Sequence, residues 1–145
     1  MKKNYLIYLL LVGLLTSCGH NTEELNDLLV GEWSLVHVSN ADINLQCSSE
    51  PGLILWTFTE DQIIVDFDPM IAEPPCPNEI LDAGTYDYTI EPDGDEHLIL
   101  VDDQSIGNIG VQGSQNGSLV IYNHLGVSGI DDNPVIINFR KIKSR

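Results

Sequence analysis

Apolar and polar residues alternate with a period of two through most of this chain. Tyr86, Tyr88 and Ile90 share one face of a run whose other face carries Thr85, Asp87 and Thr89. Ile63, Val65 and Phe67 alternate in the same way with Asp66 and Asp68. Side chains point to opposite faces along a strand, so these runs read as half-buried β-strands. The pattern predicts eight strands, at 31–39, 53–59, 62–68, 84–90, 96–102, 105–112, 118–124 and 134–142. β-branched and aromatic residues dominate them. Turn formers separate them: Thr59-Glu60-Asp61, Pro92-Asp93-Gly94-Asp95, Asp102-Asp103, Asn116-Gly117 and Asp131-Asp132-Asn133-Pro134. No long helical period follows residue 31, and short strands at hairpin spacing predict an antiparallel barrel or sandwich.

The first 30 residues follow a different pattern. Lys2 and Lys3 precede an apolar run over residues 6–15. That run is shorter than the about 20 apolar residues of a membrane-spanning helix and has the length of a signal-peptide core. It ends in Leu15-Thr16-Ser17-Cys18, which resembles the lipobox of bacterial lipoproteins. The resemblance implies removal of residues 1–17 and lipidation of Cys18 by diacylglyceryl and fatty-acyl (palmitate-type) groups. The alternative is an ordinary signal peptide, or an uncleaved anchor, with a coincidental cysteine. Several acyl chains on one residue anchor stably, whereas one chain is marginal. Gly19 stands where an acidic residue would retain a lipoprotein at the inner membrane, so the expected location is the outer membrane of the cell envelope. Glu23 and Glu24 resemble a surface-export signal. Residues 18–30 then read as the lipidated cysteine and a polar tether that turns helical at its end.

Charge narrows the range of partners. Loss of residues 1–17 leaves 128 of 145 residues and removes two of the six Lys+Arg. Four cations then face 22 Asp+Glu, a formal charge of −18. All four lie within residues 140–145. Phosphate-backbone binding needs a basic patch, so nucleic acid is not an expected partner. With Cys18 lipidated, Cys47 and Cys76 remain as an even pair in an oxidising compartment, and a disulfide is the direct reading. The alternatives are metal ligation or two free thiols. Pairing of 53–59 with 62–68 across a turn at 60–61 brings both cysteines to the open end of that hairpin. The bridge would close a loop of about 30 residues, worth roughly 3–4 kcal/mol.

Leu29-Val30-Gly31-Glu32-Trp33-Ser34-Leu35 resembles the opening of lipocalin-like domains, where G-x-W begins the first strand. Trp56-Thr57-Phe58-Thr59-Glu60-Asp61, Gly84-Thr85-Tyr86-Asp87-Tyr88 and Ile137-Asn138-Phe139-Arg140-Lys141-Ile142 resemble later strands of the same family. With the lipobox, the whole resembles the lipocalin-like lipoproteins common in Bacteroidetes. This resemblance implies a single antiparallel up-and-down eight-stranded barrel over residues 31–143. It also implies that Arg140 of the last strand packs over Trp33 and closes the barrel, a cation–π contact of about 0.5–2 kcal/mol. Gln62 departs from the family, standing where a glycine often finishes the second turn.

The chain holds no nucleophile elbow, H-E-x-x-H, phosphate loop or dinucleotide fingerprint. The acidic run Glu91–Glu96 lacks EF-hand spacing and reads as a hairpin turn. The sequence therefore predicts no enzyme, no cofactor and no metal site. It predicts a lipid-anchored envelope module that binds a small hydrophobic or amphipathic ligand inside the barrel. Candidate pocket residues are Trp56, Phe58, Tyr86 and Tyr88, with His37 on the Trp33–Leu35 side of the first strand. The competing expectation is a filled barrel acting on another envelope protein, as an accessory subunit or in the manner of a lysozyme inhibitor.

Overall fold

Strand follows strand as neighbour follows neighbour, and the last strand returns to the first. The computed structural model describes residues 22–40, 44–68, 81–112, 117–123 and 135–142. Among the described residues, a helix, α1 (Thr22–Leu29), precedes β1 (Gly31–Asn40), β2 (Leu45–Ser48), β3 (Ile54–Phe58), β4 (Gln62–Phe67), β5 (Gly84–Asp93), β6 (Glu96–Val101), β7 (Gln104–Gln112), β8 (Ser118–Asn123) and β9 (Val135–Lys141). Every pairing is antiparallel, and the β1–β9 ladder closes the sheet into an eight-stranded up-and-down barrel with β2 as an additional strand. The β1–β9 pairing removes the open edge that each of these two strands would otherwise present to other strands.

The extra strand comes from an interruption. β3 pairs with the first half of β1 (Gly31↔Phe58 to Ser34↔Leu55), and β2 with the second half (His37↔Ser48 to Asn40↔Leu45). Both pairings overlap the β1–β9 ladder, so β2 and β3 lie on the same edge of β1. Residues 49–53 break what would otherwise be one strand. Pro51 has no N–H for a ladder and Gly52 takes a φ of 95°. Gly52 N–H instead donates to Ser34 Oγ at 2.8 Å.

The eight expected strands all form, within one to three residues of their predicted ends. The β3–β4 turn needs no glycine at Gln62, because Thr59 Oγ1 accepts from the Gln62 N–H at 3.0 Å. The Gln62 side chain then reaches β5, its Nε2 donating to Asp87 Oδ1 at 2.9 Å. At the β6–β7 turn, Asp102 and Asp103 take φ of 49° and 62°. Two positive φ values in a two-residue hairpin suit the right-handed twist of the flanking strands.

The core is the barrel interior. Trp33, Trp56, Phe58 and Phe139 are its largest fully buried side chains, joined by Leu35, Ile54, Ile63, Ile99, Leu119, Ile121 and Ile137. The ladder registers put the β3–β4, β5–β6 and β7–β8 connections at the same end as α1. α1 carries Leu25, Leu28 and Leu29 at helical spacing, and it lies against β5 and β7 at that end. Leu29 is fully buried in the core and Leu25 packs against it.

Candidate functional site

The aromatics expected to line a ligand cavity pack on one another instead. Trp56 stacks at a tilt on Phe139, ring centres 4.9 Å apart, and lies 6.2 Å from Phe58. Phe58 meets Tyr88 edge-on at 5.4 Å. Such geometries are favoured by the ring quadrupoles. Trp56 is 1% exposed, and its Nε1 is buried with no hydrogen-bond partner among the described residues. The Tyr88 hydroxyl donates to the Thr59 carbonyl at 2.9 Å, and burial, followed by the nearby Asp61, raises its pKa above the ordinary tyrosine value. Tyr86 sits further along the same face of β5, half-buried, its hydroxyl donating to the Asp82 carbonyl at 2.9 Å. Its pKa is also raised, by burial first and then by Asp82 and Asp102. Trp56, Phe58 and Tyr88 thus act as core.

His37 is corrected outright. A bulge between Leu35 and His37 inserts one residue into β1 and reverses its parity. Trp33 and Leu35 face inward before it, and Val38 and Asn40 face inward after it. His37 therefore pairs with Asn138 on the outer face, and its Nδ1 lies 3.1 Å from Ser48 Oγ of β2.

The cation over Trp33 is Lys141, not Arg140. Val135, Ile137 and Phe139 of β9 are buried inward, so Lys141 shares their face and Arg140 points out to solvent. Lys141 pairs with Trp33 in register, and its Nζ stands 5.0 Å from the indole centre. The same ammonium donates to the Leu28 carbonyl at 3.0 Å, and Trp33 Nε1 donates to the Leu29 carbonyl at 2.6 Å. Both acceptors are terminal carbonyls of α1, which have no partner within the helix. Gly31 makes this approach feasible. Its φ is 128°, and a Cβ there would stand 3.3 Å from Lys141 Cε. The G-x-W motif, read physically, is a pivot, a capped helix end and a clamped tryptophan.

Cys47 sits half-buried on β2, opposite Val38 and against the core. Its expected partner Cys76 lies outside the described residues, as does the lipidation candidate Cys18.

A cavity of 620 Å³ opens on the side of the barrel, where β6 and β7 part. Their ladder ends at Leu98↔Asn108, while β7 runs on to Gln112 paired with β8 alone. Leu25 and Leu28 of α1, with Ile109 and Val111 of β7, give the cavity its apolar lining. Glu24, Asp95 and Glu96 bring carboxylates, and Tyr122, 42% exposed, adds an aromatic ring. Asn108 Nδ2 donates to Glu96 Oε2 across the gap and holds that carboxylate in place. His97 is buried in the wall, on the inward face of β6 with Ile99 and Val101. None of the sequence-predicted pocket residues lines this cavity. The inward parity of His97 with Ile99 and Val101 was legible; the parting of the strands has no sequence signal. The acidic run Glu91–Glu96 does form the β5–β6 hairpin, with Gly94 at a φ of 63°. Among the described residues, no three His, Cys, Asp or Glu side chains group as metal ligands. No protein-family model, curated protein or solved structure matches the chain significantly.

Proposed function

We propose that this protein is a lipid-anchored envelope binding module that takes a small amphipathic ligand in the side pocket, not along the barrel axis, and does no chemistry on it. The observation that carries the reading is the pocket itself: 620 Å³, lined by apolar residues of α1 and β7 together with the carboxylates of Glu24, Asp95 and Glu96. Ligand sites combine a mostly apolar wall with a few placed polar groups, at about 300–1,000 Å³. A packed interior and a lateral cavity divide the tasks of stability and binding between two places in one barrel.

The anchor is the lipidated Cys18, and the expected address is the outer membrane. Only residues 19–21 separate Cys18 from α1. At about 3.5 Å per residue, four steps span roughly 14 Å, so the α1 end of the barrel rests close to the membrane surface. Glu24, Leu25 and Leu28 place the pocket at that same end, within reach of molecules entering from the interface. The bridge is Cys47–Cys76. Cys47 lies at the end away from α1, the same end at which β4 runs into the segment containing Cys76.

One experiment tests these points together: native mass spectrometry of the protein purified from its own envelope without harsh detergent. The polypeptide is expected to begin at Cys18 with acyl groups attached, to weigh two hydrogens less than its reduced form, and to carry an added mass lost on denaturation. A bare, unacylated chain retaining residues 1–17 would overturn the reading. The aromatic packing of Trp56, Phe58, Tyr88 and Phe139 favours a second reading, a filled barrel that acts on another envelope protein. Its lysozyme-inhibitor form predicts inhibition of a basic lysozyme at low salt, relieved as salt rises. Full enzyme activity in excess protein at low salt would exclude that form.

A further inference from the structure

We infer that the side pocket selects amphiphiles whose polar end is a cation, an ammonium group on a short apolar body; this rests on the side pocket being the ligand site. Leu25 and Leu28 on the helix and Ile109 and Val111 on β7 offer the apolar body a dry surface. Glu24, Asp95 and Glu96 line the same cavity, so the polar end meets three carboxylates from two separate places, α1 and the β5–β6 hairpin. Among the described residues, no lysine or arginine lines the pocket beside them. Among the described residues the lysines and arginines are Arg140 and Lys141 alone. Lys141 is committed to the Leu28 carbonyl and the Trp33 ring, and Arg140 points to solvent from β9. The exposed ring of Tyr122 presents a negative face to a cation.

An anionic amphiphile of the same length would meet like charge at Glu24, Asp95 and Glu96. A neutral one would gain only the apolar contact. The surrounding surface works in the same direction, since 22 acidic residues in the chain raise the local concentration of cations. Glu96 is also pre-oriented by Asn108, so one carboxylate of the three needs no reorganisation on binding.

The test is isothermal titration of the full chain in phosphatidylcholine nanodiscs with octylammonium, octanol and octanoate, with empty nanodiscs subtracted. Octylammonium is expected to bind at least about tenfold more tightly than the other two, and added salt to weaken it. The double variant D95N/E96Q is expected to erase the preference. Both residues are exposed in a hairpin, so the fold should survive, and E24Q on α1 gives an independent second arm. Equal binding of all three probes would leave the side pocket standing and overturn the charge selectivity. Failure of all three to bind would overturn both.

Discussion

Two places in this barrel where strands meet behave in opposite ways. At the β1–β9 seam the ladder runs from Trp33↔Lys141 to Ser39↔Ile136 and is continued by Ile142 N–H to the Glu32 carbonyl at 2.9 Å. Side chains then lock α1 onto the same seam through Trp33 and Lys141. Between β6 and β7 the ladder stops at Leu98↔Asn108, and a side-chain bond from Asn108 to Glu96 crosses the gap beyond it. The seam is buried on its inner face and tied to α1 by Trp33 and Lys141; the gap is lined by carboxylates. The contrast shows that barrel closure and the side pocket occupy different places in the sheet. The tryptophan that a lipocalin-like reading singles out serves the seam, and the side pocket falls where the β6–β7 ladder stops.

The largest expected contrast comes from truncating the aromatic at each place. Trp33→Ala should cost about 3–5 kcal/mol, from lost burial and the cavity left behind, whereas Tyr122→Ala should stay within about 0.5 kcal/mol. Urea unfolding followed by circular dichroism measures both. Comparable losses would erase the distinction between the two regions.

The two glycines give the next contrast. Gly31→Ala forces a side chain into a φ of 128° and against Lys141, and is expected to cost about 1–3 kcal/mol. A Cβ on Gly110, in the pocket wall, would meet nothing within 4 Å. Gly110→Ala should therefore raise stability by about 0.4–1 kcal/mol through the unfolded chain. Thermal melts of the two variants should move in opposite directions.

Smaller still is the contrast between adjacent cations. Lys141→Met loses the indole contact and the Leu28 carbonyl, about 1–2 kcal/mol together, while Arg140→Met should change stability by less than about 0.5 kcal/mol. A larger loss at Arg140 would restore the pairing expected from family resemblance. The tyrosines yield the mildest effect, on the alkaline side. Raised pKa values at Tyr86 and Tyr88 mean that the unfolded chain ionises first as pH rises. Their contribution is fully present below the ordinary tyrosine pKa of about 10 and is lost as pH climbs through the folded values. Tyr88→Phe should flatten that decline in a pH series of melts.

Much of this was legible because alternation records burial directly. Each of the eight runs became a strand, and the 60–61 turn gave the observed hairpin register, Phe58↔Ile63. Lys141 was legible too, by counting parity back from Val135, Ile137 and Phe139, although resemblance pointed to its neighbour. Three features were hidden for physical reasons. Leu45–Ser48 is too short to show a period, so β2 passed as loop. The bulge at Val36 flips His37 outward without changing residue type, and no composition marks it. The side pocket arises where hydrogen bonding between two strands ends and a helix lies across the barrel end. That is a property of three elements at once and of no single stretch.

The most direct test of the account is where a ligand binds. Methyl-labelled protein, with its leucine, isoleucine and valine signals assigned, should be titrated with octylammonium and followed by nuclear magnetic resonance. The account predicts shifts at Leu25, Leu28, Ile109 and Val111, with Ile54, Val65 and Ile137 unmoved. Shifts centred on Ile54, Val65 and Ile137 would place the ligand inside the barrel and contradict it.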